Sequence, residues 1–499
     1  MRNSLLIVIS ICAISSAEIT MPSIFSEGMV LQCDSIVPVW GTAQPYDKIE
    51  VQGSWMPRAS MTRADAKGVW TAKIKTPPPS EEAYDLSVRS MQEFVIIRNV
   101  LSGEVMLFCG DEYLQYPVSM ATSNTTQAVG ENNPNVRFFT LPERISEREE
   151  SDVSARWKQA AGMNIGSFSA VAYYFARNLE DQTGKPVGII SATCANSTLE
   201  SWISRGALTR SQEMLPIVKR LPQLDAYRTE INEYNKLAKA WFDSPETERP
   251  VEPSYLDYTL LPTSTFNAMI KPLIPYKVRC AYLYMGLHNI DRAYQYKSLL
   301  SLLIEDWRKQ WGFEEMPFII VQIGYQGLPE DARKKLPEMW EAQDEALSGS
   351  FNVYSVPAYD IPPENKLALS NRLLIRSYSK LFGQTQIVGD GPVFKMVRSE
   401  KNTLRLFFDN VLRGFLTQGS NQAKGFEIAG IDRIFYPATA MIERNTIVLS
   451  SPEVRNPVAA RYGWNLTEET SLPNLANRSD LPMHPFRTDR WDYKTKGNE

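Results

Sequence analysis

The alternation of strand-like and helix-like segments between residues 101 and 386 constrains the fold more than any other feature of the sequence. Helical periodicity over residues 168–182 stops at Gly184-Lys185-Pro186, and the apolar run Val187-Gly188-Ile189-Ile190 follows at once. Alternation of this kind predicts a mostly parallel, doubly wound sheet with helices on both faces. The pattern continues in strand-like runs at residues 278–284, 318–321 and 352–356, and in helical segments that end near Gly312 and Phe382.

Short runs rich in β-branched and aromatic residues flank this region on both sides and predict sandwich-like β domains. They are punctuated by turn residues such as Gly68 and Pro77-Pro78-Pro79. The runs are residues 37–40, 49–51, 69–74 and 94–97 on one side, and 404–408, 425–428, 434–436 and 447–449 on the other. The predicted organisation is an N-terminal β domain (18–100), an α/β domain (101–386) with a polar helical insertion at about 205–262, and a C-terminal β domain (387–499).

The first 17 residues have the layout of a secretory signal peptide. One Arg precedes an apolar run from Leu5 to Ile14, and small residues end at Ala17. The run is too short to span a bilayer, and no later segment is long and apolar enough to do so. We therefore expect a secreted protein, with a lysosomal destination as the alternative. A formal charge of −4, from 53 Lys+Arg against 57 Asp+Glu, favours neither nucleic acid nor a membrane surface as a partner.

The mature chain would keep four cysteines and four glycosylation sequons. An oxidising compartment permits three pairings of the cysteines, among which the sequence does not choose. The cysteines are Cys33, Cys109, Cys194 and Cys280, and the sequons begin at Asn124, Asn196, Asn465 and Asn477.

Ligands of open α/β sheets bind outside the carboxyl ends of the strands. This rule selects four loops, at residues 109–113, 191–197, 285–289 and 360–366. In the first of them Asp111 and Glu112 follow Cys109-Gly110, at the place where the chain leaves a strand and enters a helix. Hydrolytic α/β folds usually present a nucleophile there.

Several stretches outside these loops resemble the sialate O-acetylesterase family, which comprises secreted or lysosomal carbohydrate esterases with an SGNH-hydrolase catalytic domain. Together they run nearly from end to end of the chain. The resemblance implies an SGNH-like fold, hydrolysis of acetyl esters on sialic acids, and no cofactor or metal. The stretches are residues 24–32 (IFSEGMVLQ), 39–43 (VWGTA), 306–312 (DWRKQWG) and 481–489 (LPMHPFRTD).

The loops that carry the family's catalytic residues match far less well. The family's Gly-Gln-Ser-Asn-Met falls on residues 110–114, which puts Glu112 at the serine position. Its Trp-Gly-Gly-Thr falls on residues 194–197, so that Asn196 replaces an oxyanion-hole glycine. Its Tyr-Gln-Gly-Glu-x-Asn falls on residues 284–289 and keeps Gly286 and Asn289. Its Asp-Ile-His-Pro falls on residues 360–363, which keeps Asp360 and replaces the histidine by Pro362.

These replacements remove the chemistry that ester hydrolysis needs, which is a hydroxyl to attack and a base to take its proton. Proline has no ionisable group, and a carboxylate repels a developing oxyanion. Ser102 and Ser119 flank the nucleophile loop, but neither fits a sharp, exposed turn. We interpret the two histidines of the chain, His288 and His484, as a polar residue at a loop rim and a structural residue.

Three alternatives concern the same loops. Asp111, Glu112 and Asp360 could form an acidic cluster that binds calcium or acts on a glycoside, although a solvated turn is the simpler interpretation. Cys109 and Cys194 could form a disulfide across the former active site, or remain buried thiols. A glycan on Asn196 would obstruct an open esterase pocket.

The sequence therefore favours a secreted homologue of sialate O-acetylesterase that has lost hydrolysis and retains binding of sialylated or other glycans, or of a protein. The alternatives are an active esterase that uses residues not identified here and a purely structural extracellular protein. Aromatic residues near the site, including Tyr116, could stack on sugar rings. The predicted ligand pocket consists of Asp111, Glu112, Tyr113, Asn196, Tyr284, His288, Asn289 and Asp360.

Overall fold

The computed structural model describes residues 18–121, 131–219, 223–244, 249–251, 261–467 and 472–498. The predicted signal peptide (1–17) and the sequon at Asn124 lie outside the described residues.

The core of the protein is a mostly parallel sheet in the order β13-β12-β11-β7-β10-β8-β9. Every neighbouring pair is parallel except β8 and β9, which are antiparallel. The mostly parallel sheet predicted from the sequence is therefore confirmed. Its strands are β7 (Phe94–Gly110), β8 (Asn132–Thr140), β9 (Trp157–Ala161), β10 (Val187–Thr193), β11 (Cys280–Tyr284), β12 (Phe318–Gln322) and β13 (Val353–Pro357).

Helices cover both faces of this sheet because alternate strand residues point to opposite faces. Met106 and Phe108 of β7 belong to an apolar cluster with residues of helices α2 and α8. Val105 and Leu107 belong to a second cluster with residues of α6 and α7. The helices are α1 (Glu112–Gln115), α2 (Ala170–Thr183), α3 (Arg205–Arg210), α4 (Leu215–Val218), α5 (Gln223–Asp243), α6 (Ala293–Trp311), α7 (Glu330–Leu347) and α8 (Lys366–Lys380).

The N-terminal β region is continuous with the central sheet through β7, a strand of 17 residues. Its first half pairs with β6, and its second half pairs with β10 and β11. The predicted domain boundary at residue 100 lies inside this strand, so that the two regions share a strand instead of being joined by a linker. The other strands of the region are β1 (Val30–Gln32), β2 (Ile36–Thr42), β3 (Lys48–Gly53), β4 (Ser60–Arg63), β5 (Val69–Lys75) and β6 (Ser80–Arg89).

The C-terminal β region has its own apolar core, which includes Leu406, Ile428, Ile447 and Tyr462. Two four-stranded sheets contribute to it, in the orders β14-β15-β20-β19 and β18-β17-β21-β23, and β16 pairs with β22. The strands are β14 (Val393–Glu400), β15 (Thr403–Asp409), β16 (Phe415–Thr417), β17 (Phe426–Ala429), β18 (Phe435–Pro437), β19 (Thr439–Glu443), β20 (Thr446–Ser450), β21 (Ala459–Tyr462), β22 (Leu475–Asn477) and β23 (Phe486–Arg487).

The segment predicted as a helical insertion, at about 205–262, contains α3, α4 and α5 in its described part. Among the described residues, no helix has both the length and the apolar character that crossing a membrane would require.

Candidate active site

The candidate site lies where β7 ends and α1 begins, at the carboxyl edge of the central sheet. Gly110 is the last residue of β7, and a Cβ atom there would come within 2.2 Å of the Tyr284 carbonyl oxygen on the neighbouring strand. Only glycine fits such a close approach. Asp111 then caps α1 by accepting a hydrogen bond from the backbone N–H of Tyr113 at 3.2 Å. The cap directs the chain out of the sheet and places Glu112 at the first position of the helix.

Asp111 is fully buried beneath this turn. Its Oδ2 atom has no hydrogen-bond partner among the described residues. Burial, with the nearby charge of Glu112 as a second cause, raises the pKa of the Asp111 carboxyl to about 8. The group is therefore mostly protonated at neutral pH, and it serves as a helix cap and not as a surface charge.

Glu112 contacts His288 and Asn196, so that two of the predicted loops meet at its carboxylate. The His288 Nε2 atom lies 3.3 Å from Oε1 and 3.4 Å from Oε2. The backbone N–H of Asn196 donates to Oε2 at 3.2 Å. The hydrogen bond with His288 is the largest of the effects that lower the pKa of Glu112 to about 2, with the backbone N–H groups of Glu112 and Asn196 acting in the same direction. Glu112 is therefore an ionised acceptor held by three donors.

Asn196 adopts a left-handed backbone conformation with φ of 54°, which asparagine tolerates better than most residues. This conformation turns its N–H towards Glu112, while its exposed position leaves the residue at the surface. Tyr113 and Tyr284 lie beside the same turn with their rings edge to face, 5.5 Å apart between centroids. Glu112, Tyr113, Asn196, Tyr284 and His288 therefore lie close together, and their role as a ligand pocket stays a prediction.

Asn289 is turned away from Glu112. It is buried, its Oδ1 accepts from the Leu199 backbone N–H, and its Nδ2 donates to Glu200 Oε2, both at 2.8 Å. Arg292 donates to the other oxygen of Glu200 at 2.6 Å. Asn289 therefore holds the segment that follows Asn196, with both ends of its amide already used, and its place in the ligand pocket stays a prediction.

Asp360 is committed to an ion pair. Both of its carboxylate oxygens accept from the Arg372 guanidinium, at 2.5 and 2.8 Å. Pro362 is exposed at the surface of the same loop. Asp360 is therefore not a free member of the pocket. The described residues contain no group of three or more His, Cys, Asp or Glu side chains placed to hold a metal ion, so that the acidic cluster of Asp111, Glu112 and Asp360 does not form.

Curated and solved relatives agree on what this chain is similar to. No protein-family model matches it. The sialate O-acetylesterase of Mus musculus is 23% identical over 92% of this chain and 92% of that protein, and the enzyme of Homo sapiens is 22% identical over 93% and 91%. The crystal structure of a carbohydrate acetylesterase from Xanthomonas citri covers 95% of this chain and 100% of its own, with a TM-score of 0.79 and 29% identity.

The chain resembles the sialate O-acetylesterases over nearly its whole length. The family resemblance inferred from its sequence motifs is thereby confirmed. Lys366 is a residue beside the candidate site that sequence reasoning missed. It is the first residue of α8, is 4% exposed, and donates to the Tyr113 carbonyl oxygen at 3.1 Å. Its ammonium also lies over the Tyr116 ring, 4.8 Å from the centroid. Burial lowers the pKa of Lys366 to about 8 against the opposing effect of Asp111.

Of the two alternatives for Cys109 and Cys194, a disulfide or buried thiols, the structure shows buried thiols, since all four described cysteines are free and buried. Cys109 is aligned with Ala192 in the sheet, and Cys194 lies two residues further along. With about 3.3 Å per residue and about 4.8 Å between strands, the two Cα atoms are about 8 Å apart, beyond the ~7 Å that a disulfide tolerates.

The side chain of the sequon residue Asn477 is not accessible in the folded chain. Asn477 is fully buried in β22. Its Nδ2 donates to the carbonyl oxygens of Asp390 and Asn410, and its Oδ1 accepts from the backbone N–H groups of Ser479 and Leu481. A glycan would have to replace these hydrogen bonds. Asn196 is exposed and Asn465 is partly exposed.

His484 lies at the junction of the C-terminal β region with the helices of the α/β region. This position suits the structural role predicted for it. It is buried, and its ring nitrogens lie 3.9 Å from Asp344 Oδ2 and 3.7 Å from Asp390 Oδ1. Asp390 also forms an ion pair with Arg376. Burial by itself lowers the pKa of His484, but the two carboxylates together outweigh burial and raise the pKa to about 8.

Proposed function

We propose that this protein is a secreted, catalytically degenerate member of the sialate O-acetylesterase family that binds glycans without deacetylating them. Its scaffold would be an SGNH-hydrolase-like domain flanked by β-sandwich-like domains. Binding surfaces of such a scaffold can persist after the chemistry is lost.

The position of the Glu112 carboxylate is the observation that carries the proposal. Glu112 stands at the strand-to-helix turn where the family presents its serine, and it accepts the backbone N–H of Asn196. In the aligned family motif, residue 196 is an oxyanion-hole glycine. A carboxylate therefore fills the place of the nucleophile and takes up a donor that should stabilise the oxyanion. An anion bound there opposes the negative charge that develops during ester hydrolysis.

The general base is missing from the same site. Pro362 occupies the position of the family's histidine, and the Asp360 carboxylate that would orient that histidine is held by Arg372. His288 is the one histidine beside Glu112, and its Nε2 faces that carboxylate instead of a hydroxyl. Without a hydroxyl and a correctly placed imidazole, acyl transfer lacks both partners of the first step.

An acetyl-ester assay on the purified protein tests this proposal directly. 4-Nitrophenyl acetate and an O-acetylated sialoside are the substrates, and we expect no release of acetate above that of a heat-denatured sample. The double variant Glu112→Ser/Pro362→His restores a hydroxyl and an imidazole, and we expect it to exceed the matched control Glu112→Gln/Pro362→Ala. Hydrolysis by the unmodified protein at an ordinary enzymatic rate would overturn the proposal.

Secretion is tested separately by expressing the full chain in cultured eukaryotic cells. We expect the protein in the medium with a new N-terminus close to Glu18, as N-terminal sequencing would show. Retention in the cell with an intact Met1 would contradict a cleaved signal peptide, and accumulation in lysosomes would favour the alternative destination.

A further inference from the structure

A cavity of about 610 Å³ opens at the carboxyl end of β8, two strands along the sheet from β7, and Glu112 is not among its lining residues. Its size is within the ~300–1,000 Å³ of sites that bind small molecules. Thr140, the last residue of β8, lines it together with Leu141. The backbone N–H of Leu141 donates to the Ser191 carbonyl oxygen of β10 at 2.9 Å, which ties this wall to the central sheet. The cavity therefore has a rigid base at the edge of the sheet where ligands of such folds bind.

Two cations, Arg156 and Lys158, line this cavity, and both are exposed. The residue between them, Trp157, is buried and donates its indole N–H to the Ile24 carbonyl oxygen at 2.8 Å. Because alternate residues of a strand point to opposite sides, the burial of Trp157 turns both cations outward together. Within the part of the chain that the structure describes, neither cation forms an ion pair or a hydrogen bond, and no carboxylate lines the cavity.

Hydroxyl groups complete the lining of the cavity. Thr140, Ser154 and Ser167 are all exposed at its wall. An adjoining cavity of about 470 Å³ shares Arg156, but the carboxylate of Glu27 lines it, so that the first cavity is the one suited to an anion. Two unpaired cations next to several hydroxyl groups are complementary to a ligand that combines a negative charge with a polyhydroxylated ring.

We propose that this cavity binds the carboxylate-bearing sugar of an acidic glycan, with Arg156 and Lys158 pairing with the carboxylate. The inference rests on the proposed function and assigns the ligand and its location. The degenerate catalytic position is less suitable for such a ligand, because the Glu112 carboxylate occupies it. Glu143 adds a second negative charge there, since it accepts hydrogen bonds from Gln115 at 2.7 Å and from the Ala195 N–H at 3.1 Å. Repulsion from two carboxylates disfavours an anion at that position and favours the basic cavity.

Isothermal titration of the full-length protein with 3′-sialyllactose tests this assignment, with lactose as the neutral probe. We expect 3′-sialyllactose to bind and lactose not to. The variant Arg156→Ala/Lys158→Ala should weaken binding roughly tenfold or more, because it removes two charge-assisted contacts. The matched control Lys73→Ala/Arg413→Ala changes the net charge equally at exposed positions outside the cavity and should bind as the unmodified protein does.

Two further probes separate the sources of negative charge. A glucuronate-containing disaccharide should bind through its carboxylate, and lactose 3′-sulfate should bind more weakly. The assignment would be overturned if lactose or lactose 3′-sulfate bound as tightly as 3′-sialyllactose. It would also be overturned if the control variant lost as much affinity as Arg156→Ala/Lys158→Ala, or if 3′-sialyllactose did not bind at millimolar concentration. The acetyl-ester assay decides the proposed loss of hydrolysis independently, since it reads out product and not binding.

Discussion

The carboxylate of Glu112 accepts a hydrogen bond from the backbone N–H of Asn196 and thereby joins the end of β7 to the loop after β10. The same carboxylate faces His288 from the loop after β11. One side chain therefore connects three neighbouring strand ends. A serine hydroxyl, which is shorter and neutral, could not satisfy the same donors.

The stability contributed by Glu112 should depend on pH. Its folded-state pKa, about 2, is below the ordinary value of 4.5. The contribution is therefore fully present above about pH 4.5 and is lost as the pH falls towards 2. The side chain is 37% exposed, so we expect no more than about 1 kcal/mol. In urea unfolding at about pH 6, Glu112→Gln should have a lower free energy of unfolding than the unmodified protein. The difference between the two free energies should be smaller at about pH 3. A difference that does not change with pH would contradict this assignment.

Asp111 should make folding stability depend on pH in the opposite direction, with a contribution that falls as the pH rises. Burial raises its pKa to about 8, so the folded protein holds a proton that the unfolded chain releases near pH 4. The contribution is fully present below about pH 4 and is lost as the pH rises through 8, by up to about 1.4 kcal/mol per pH unit. Asp111→Asn keeps the cap acceptor and cannot ionise, so its stability should change less between about pH 5 and about pH 8.5. Parallel pH profiles for the two proteins would refute a buried protonated carboxyl.

His484, at the junction of the C-terminal β region, should give the folding stability a third dependence on pH. Its folded-state pKa of about 8 is above the ordinary 6.5, so its contribution is fully present below about pH 6.5 and is lost as the pH rises through 8. We expect His484→Gln to be less stable than the unmodified protein by on the order of 2 kcal/mol at about pH 6, and by much less at about pH 9. Chemical denaturation at the two pH values measures the difference, and an equal loss at both would exclude a charged imidazole.

Asn477 should remain unmodified when the protein is produced in eukaryotic cells, although its sequon is intact. Mass spectrometry of peptides after enzymatic deglycosylation measures occupancy at each sequon. Asn477→Ala should destabilise the protein by roughly 2–4 kcal/mol, because four backbone groups lose their partner in a buried place. A glycan on Asn477 of the folded, secreted protein would contradict the burial of this side chain in β22.

Much of the architecture was predictable because local signals agree with tertiary structure. The helix before Gly184 ends at that residue with φ of 63°, as a left-handed helix end requires. The helix α7 was not anticipated, since Pro337 interrupts an otherwise polar segment. β8 was missed for a related reason, because its first residues, Asn132-Asn133-Pro134-Asn135, have the composition of a loop.

The sequence predicted which loops of the site lie near each other, but not where their side chains point. Parallel strands end at one edge, so the loops that carry Glu112, Asn196 and His288 had to be close to each other. The direction of each side chain depends on partners that no local pattern indicates. Asp360 accepts hydrogen bonds from Arg372, which α8 places beside it. Asn289 donates to Glu200, which lies 89 residues earlier in the chain. Lys366 gave only the weak signal of a lysine at the start of a predicted helix.

The uninterrupted strand β7 has a practical consequence for anyone who dissects this protein. A truncation at residue 100 would divide β7 and separate its pairing with β6 from its pairing with β11. Each fragment would then expose unpaired backbone N–H and C=O groups at a strand edge, and such edges promote aggregation. The N-terminal region is thus not a detachable module, and fusion or expression fragments should keep residues 94–110 whole.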